Sequence, residues 1–218
     1  ASLNPTKFKY LNNKHLPFIC LSNGGGMMEE KKAEAVNTVL GLKDSYKFKG
    51  EDMVLCHTPL KELAEEYKDD YVIIAGCGDT INVAYNYGYK KALHIHEYSA
   101  LFPYLSPLSN KYRDERITQK YFDQIKERFG DSFDIEAIQK QGESAIPIKA
   151  CLVFHDVDEM EESFQIFSDL IISTDGIPGS KRSPTSPQNM KVYTTNPDLV
   201  YSAAFNLQRW GQGIFQYC

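Results

Sequence analysis

Six short apolar runs punctuate the chain: FICL at 18–21, MVLC at 53–56, YVIIA at 71–75, ALHI at 92–95, ACLVF at 150–154 and VYTT at 192–195. Polar or glycine residues bound each run, the pattern of short strands, several of them buried on both faces. Between them, apolar positions recur at helical spacing over Glu29–Leu40, closed by Gly41, and over Pro59–Tyr67, with Thr58 as N-cap. Two further helices follow, Thr80–Tyr87 closed by Gly88, and Glu159–Ile172. Pro suits a first turn and Gly a helix end, so these boundaries carry a mechanism. Strands alternating with helices predict an α/β fold with largely parallel sheets.

Residues 103–147 break that rhythm. A Pro-flanked loop, a charged amphipathic helix near Ile117–Phe129 and a polar stretch through Gly142 read as an elaboration of one edge. The stretch GIPGSKRSPTSPQN, 176–189, is an expected exposed loop. No internal repeat is evident.

Composition narrows the function classes. The 218 residues are 42% hydrophobic, enough for one large domain or two small ones. A net charge of -5 argues against a nucleic-acid binder, because phosphate backbones need a clustered positive face. The most cationic stretch, Lys111 to Arg128, interleaves its basic residues with Asp114, Glu115, Asp123 and Glu127 and reads as a solvated helix. Cys20, Cys56, Cys77, Cys151 and Cys218 lack CxxC spacing, so reduced thiols are expected rather than a disulfide framework or zinc site. No apolar run approaches the roughly 20 residues of a membrane span, and no secretory signal is expected before the first strand.

In parallel α/β sheets, ligands bind beyond the carboxyl ends of the strands. Polar residues gather at those ends: Ser22 and Asn23, His57 and Thr58, Gly76 to Asp79, His155 and Asp156, Thr194 to Asn196. The stretch SNGGG stands out. A serine hydroxyl can donate to one phosphate oxygen while glycine amides approach the others, so Ser22, Asn23, Gly24 and Gly25 are the candidate phosphate-binding residues. The competing reading is a glycine turn in which Ser22 caps the following helix.

PFICLSNGGG and VLCHTPLKELAEEY, followed by YVIIAGCGDTINVAYNYGYKKALHI, CLVFHDVDEMEESFQIFSDLI and YTTNPDLVYSAAFNLQRWGQGIF, together resemble the haloacid dehalogenase (HAD) superfamily. The likeness is to subfamily IIA, the nitrophenylphosphatase-like group, and within it to the cat-eye-syndrome-region hydrolase branch, which has mitochondrial members. It covers most of the chain and is weakest from Ser109 to Ile146. It implies a Mg²⁺-dependent phosphomonoesterase acting through an aspartyl-phosphate. Ser22 then stands at the second motif, which holds the phosphoryl group. Asn196-Pro197-Asp198 and Gly211-Gln212-Gly213 stand at a signature and a glycine turn, with Asn196 and Asp198 facing the substrate. The resemblance implies a partial parallel core at 1–50, an inserted α/β cap at 51–205 and a return to the core at 206–218. The DxDG nucleophile motif is expected upstream of Ala1, and the lysine and metal motifs downstream of Cys218.

Several residues imitate missing parts. Asp156 and Asp158 in FHDVDEM mimic DxD, and Asp79 mimics a metal motif, as a permuted enzyme would require; capping of the helix near Glu159 is the simpler reading. His94 and His96 share a strand face at i, i+2 but number too few for a metal, with Glu97 facing away, so no metal site is expected in this chain. His57 and His155 lie near strand ends and are expected to be satisfied histidines; Tyr85, Tyr87 and Tyr89 are expected to pack. Two functions remain open. The chain is a phosphatase-fold subunit without catalytic motifs, held in a larger, mitochondrial assembly by other protein subunits or by the missing halves of the core. Alternatively, it belongs to a longer, active Mg²⁺-dependent phosphatase of a phosphorylated small molecule.

Overall fold

The computed structural model describes residues 19–43, 46–180, 183, 185 and 187–216; Phe18, the first residue of the first expected strand, and Cys218 lie outside them. The elements are β1 (Cys20–Ser22), α1 (Glu29–Leu40), β2 (Met53–Leu55), a 3₁₀ segment Thr58–Leu63 leading into α2 (Ala64–Tyr67), β3 (Tyr71–Ala75) and α3 (Thr80–Tyr87). Then come β4 (Ala92–His94), α4 (Ile95–Leu101), α5 (Glu115–Phe129), α6 (Ile135–Gln141), β5 (Ile148–Val153), α7 (Met160–Ile172), β6 (Lys191–Thr194), β7 (Val200–Tyr201) and β8 (Arg209–Trp210). No helix among the described residues is long and apolar enough to cross a membrane.

The α/β reading holds. Two parallel sheets form, β1-β2 and β4-β3-β5-β6, with β7-β8 an antiparallel ribbon. In β3, Val72 and Ile74 enter one apolar cluster with Val83, Tyr89 and Leu152, while Ile73 and Ala75 enter another with Leu93, Ile125 and Val153. A strand alternates its side chains between faces, so this unbroken apolar run fills two cores at once. Helix α3 backs the first core, and α4, α5 and α7 contribute to the second.

Three expectations change. Thr58 is not the N-cap of a Pro59–Tyr67 helix: its Oγ1 accepts the Leu55 N–H at 2.9 Å and donates to Glu29 Oε1 at 2.7 Å, and the chain tightens into the 3₁₀ segment with His57 at the cap. His94 and His96 do not share a strand face, because β4 ends at His94 and a capping box there starts α4: His94 Nδ1 accepts from the His96 N–H and Glu97 accepts from the His94 N–H. The polar stretch before Gly142 contains α6, capped by Asp134, and Phe133, Ile135 and Ile146 around it are buried core. The β7-β8 ribbon went unforeseen.

Strand order fixes where loops converge. β3 leads outward to β4 and β5 outward to β6, so the topological switch lies between the carboxyl ends of β3 and β5. The glycine loop after β1 plugs that crevice. Gly26 carbonyl oxygen accepts the Asp79 N–H at 2.7 Å, and Asp156 carbonyl oxygen accepts the Cys77 N–H at 2.8 Å. A Cβ on Gly78, whose φ is +87°, would stand 2.5 Å from Gly26 oxygen. Gly78→Ala is therefore expected to cost about 2–3 kcal/mol, through overpacking against rigid backbone and left-handed strain, read as a lower urea midpoint at unchanged slope.

Candidate functional site

The loop that plugs the crevice carries an anion cradle. Ser22 Oγ accepts the Gly24 N–H at 3.1 Å, which leaves its own hydroxyl proton free to donate. Ser22 caps no helix; the residue at the start of α1 is Met28, without a side-chain cap. A Cβ on Gly24 would sit 3.2 Å from Ser22 Oγ and 3.4 Å from Lys32 Nζ, so hydroxyl and ammonium flank the space that glycine leaves open. Lys32 is half-buried and has no ion-pair partner among the described residues, whereas its neighbour Lys31 pairs with Asp79 at 3.6 Å. His155 stands beside this loop, its Cδ2 2.9 Å from where a Gly26 Cβ would be. Burial holds the His155 pKa below its ordinary value despite Asp156, and the Lys32 charge pushes the same way, so at neutral pH the ring is uncharged and can donate one N–H.

The end of β6 meets this loop from the other side. Asn23 Nδ2 donates to Asp198 Oδ2 at 2.7 Å. Asn196 is buried and turned inward, its Oδ1 accepting the Asp198 N–H at 2.9 Å. Gln212 organises this turn: its Oε1 accepts from the Thr195 and Asn196 N–H groups, and its own N–H donates to Asp156 Oδ1 at 2.7 Å. A Cβ on Gly213 would lie 2.1 Å from Pro197 oxygen, so the glycine turn and the Asn196-Pro197-Asp198 segment fit through bare backbone. The structure thus brings together Ser22, Asn23, Gly24, Gly25 and Asp198, and gives Asn196 to the turn.

The carboxylates that imitate a nucleophile are engaged elsewhere. Asp156 holds Gln212. Asp158 Oδ1 lies 3.2 Å from His96 Nε2, so it does not serve as the N-cap of α7; that position is Glu159. His96 is held at its other nitrogen by Glu162, which is 2% exposed, at 3.3 Å. His96 and Asp158 border a cavity of about 550 Å³ beneath α5, whose walls include Asp79, His94, Lys120 and Arg128. His94 Nε2 donates to Gly76 oxygen at 3.1 Å, and burial pushes its pKa down to about 4.

That shift has a sign. The unfolded chain protonates His94 near 6.5 and the folded one only near 4, so the unfolded state binds more protons between those values and stability falls as pH drops through that window. Above it, His94 contributes nothing to the slope. His94→Gln is expected to remove about 3 kcal/mol of acid destabilisation, measured as the difference between denaturant titrations at pH 7 and pH 4.

Sequence reasoning missed Lys32, whose only signal was its place one turn into the helix after SNGGG. The described residues contain no group of three or more His, Cys, Asp or Glu that could hold a metal ion. The described cysteines Cys20, Cys56, Cys77 and Cys151 are free thiols.

No protein-family model matches the chain. The chain is similar to mitochondrial hydrolase YKR070W of Saccharomyces cerevisiae, 28% identical over 209 residues, which make up 95% of this chain and 53% of that protein. It is also similar to the cardiolipin synthase (CMP-forming) / mitochondrial hydrolase fusion protein of Schizosaccharomyces pombe, 28% identical over 214 residues, 96% of this chain and 31% of that protein. The chain spans about half the length of the first relative and about a third of the second.

Proposed function

We propose that this chain is the phosphate-holding and substrate-covering part of a mitochondrial hydrolase of phosphomonoesters, of the haloacid dehalogenase type, and that by itself it binds phosphate without turnover. One observation carries the reading: a half-buried Lys32 ammonium, without an ion-pair partner among the described residues, shares with the Ser22 hydroxyl the space left open at Gly24. The names of both relatives support a hydrolase and its compartment. Ser22 would donate its hydroxyl proton to one phosphoryl oxygen, Lys32 would neutralise another, and neutral His155 would supply a further N–H. The sequence contains no DxDG, so the aspartyl nucleophile, and the Mg²⁺ site with it, would come from the remainder of the hydrolase or from another subunit.

The small sheet supports such a partner. Among the described residues β1-β2 is two strands wide, and Leu21 on β1 is 74% exposed, whereas parallel sheets are ordinarily covered on both faces. In this reading residues 1–50 belong to the hydrolase core, 51–205 to the inserted α/β cap and 206–218 to the return, with β2 pairing back onto β1 across the first boundary. The test is a turnover assay of the 218-residue chain with p-nitrophenyl phosphate and Mg²⁺, beside calorimetric titration with inorganic phosphate. Binding without hydrolysis is expected. Hydrolysis abolished by Asp156→Asn would overturn the reading in favour of a permuted enzyme.

A further inference from the structure

His57 is fully buried beneath the glycine loop, with its Cδ2 3.0 Å from where a Gly25 Cβ would stand. Its surroundings fix a proton count. Nε2 lies 3.1 Å from the Met27 carbonyl oxygen, which can only accept, so Nε2 carries a hydrogen and holds the far end of the loop. Nδ1 lies 2.9 Å from the Tyr87 hydroxyl, itself 2.5 Å from Glu29 Oε1. Those two contacts need two protons, and the phenol brings one. Thr58 cannot supply the other: its single hydroxyl proton already goes to Glu29 Oε1. The second proton therefore sits on Nδ1 with Glu29 ionised, or on Glu29 with the imidazole neutral. Without it, one contact sets lone pair against lone pair, or the ring shifts its hydrogen to Nδ1 and releases Met27.

We propose that Glu29, Tyr87 and His57 form a proton-loaded clamp under the anion-binding loop, so that an anion held at Ser22 and Lys32 draws one proton into this buried network. The inference rests on the phosphate-site reading above. The three are positioning residues; none touches the anion. Other groups facing the network are Cys56 and the ring of Phe154, which stacks on His57 at 5.7 Å, Lys61 over the Tyr87 ring at 5.9 Å, and His155 with Lys32 on the loop side. Burial pushes the His57 pKa down against the pull of Glu29, so burial favours release of the proton while the loop is free. A bound anion favours its return, and by linkage protonation favours the anion.

Sulfate is the probe, because it gains no proton between pH 5 and 8. Titration calorimetry of the full chain at pH 6.5, in two buffers of different ionisation enthalpy, reads the protons taken up on binding. Uptake of roughly half a proton or more is expected in the wild type, and close to none in Tyr87→Phe. Uptake unchanged in Tyr87→Phe would overturn the clamp while leaving the anion site standing. Failure of sulfate to bind, or indifference to Ser22→Ala, would instead overturn the site reading. Imidazole nitrogen NMR then tests the clamp without any anion: the His57 midpoint is expected to fall by about one pH unit in Tyr87→Phe, which removes the acceptor of the Nδ1 proton. An unmoved midpoint sinks the proposal.

Discussion

Replacing Ser22 and Lys32 together by alanine is expected to weaken binding of inorganic phosphate by a factor on the order of a thousand. Each contributes a hydrogen bond to a charged group, worth about 1.5–3 kcal/mol, and 1.4 kcal/mol is tenfold in affinity. Either single substitution is expected to cost roughly ten- to a hundredfold. Both side chains lie outside the three buried clusters, so circular dichroism and the denaturation midpoint should stay near the wild type. Lys32→Arg should restore part of the affinity, because it keeps the charge at the mouth of the Gly24 gap. Isothermal titration separates this from a fold defect: the predicted pattern is lost affinity on an intact scaffold. Unchanged affinity in the double variant would mean that phosphate, if it binds, binds elsewhere.

Arg128→Ala is expected to cost about 3–5 kcal/mol of stability. Arg128 on α5 is only 12% exposed and pairs with Glu97 on α4, which is 2% exposed, at 2.5 Å. Burial raises the Glu97 pKa and the Arg128 charge opposes that rise, so removing the guanidinium strands a buried carboxylate. For a chain of this size the melting temperature should drop by about 10 °C. Removing both charges, as in Arg128→Met with Glu97→Gln, should be milder than Arg128→Ala alone, because an uncompensated charge costs more than an absent pair. A double variant as unstable as the sum of its singles would contradict this account.

The strands were legible because parallel strands buried on both faces are written as unbroken apolar runs; YVIIA and ACLVF need no partner to be recognised. Glu29–Leu40 and Thr80–Tyr87 were legible to the residue, because Gly41 and Gly88 take left-handed conformations at their ends. α4 and α6 were not. Each has seven residues, too few for a helical period to emerge, and α4 follows β4 directly with no turn residue between them. At the site, the local signal SNGGG pointed to Ser22 and its glycines. Lys32 was missed because its lack of an ion-pair partner among the described residues is a tertiary fact. The pairings of His96 with Asp158 and Glu162, and of Tyr87 with His57 and Glu29, join residues 30 to 66 positions apart, and no periodicity in a single sequence announces them.

The most direct test of the central claim is a titration of the isotopically labelled 218-residue chain with inorganic phosphate, followed by amide NMR. The account predicts saturable shifts centred on residues 22–26, Lys32 and His155, all lost in Ser22→Ala. Shifts confined to the cavity beside His96 and α5, or no saturable shift at all, would contradict it.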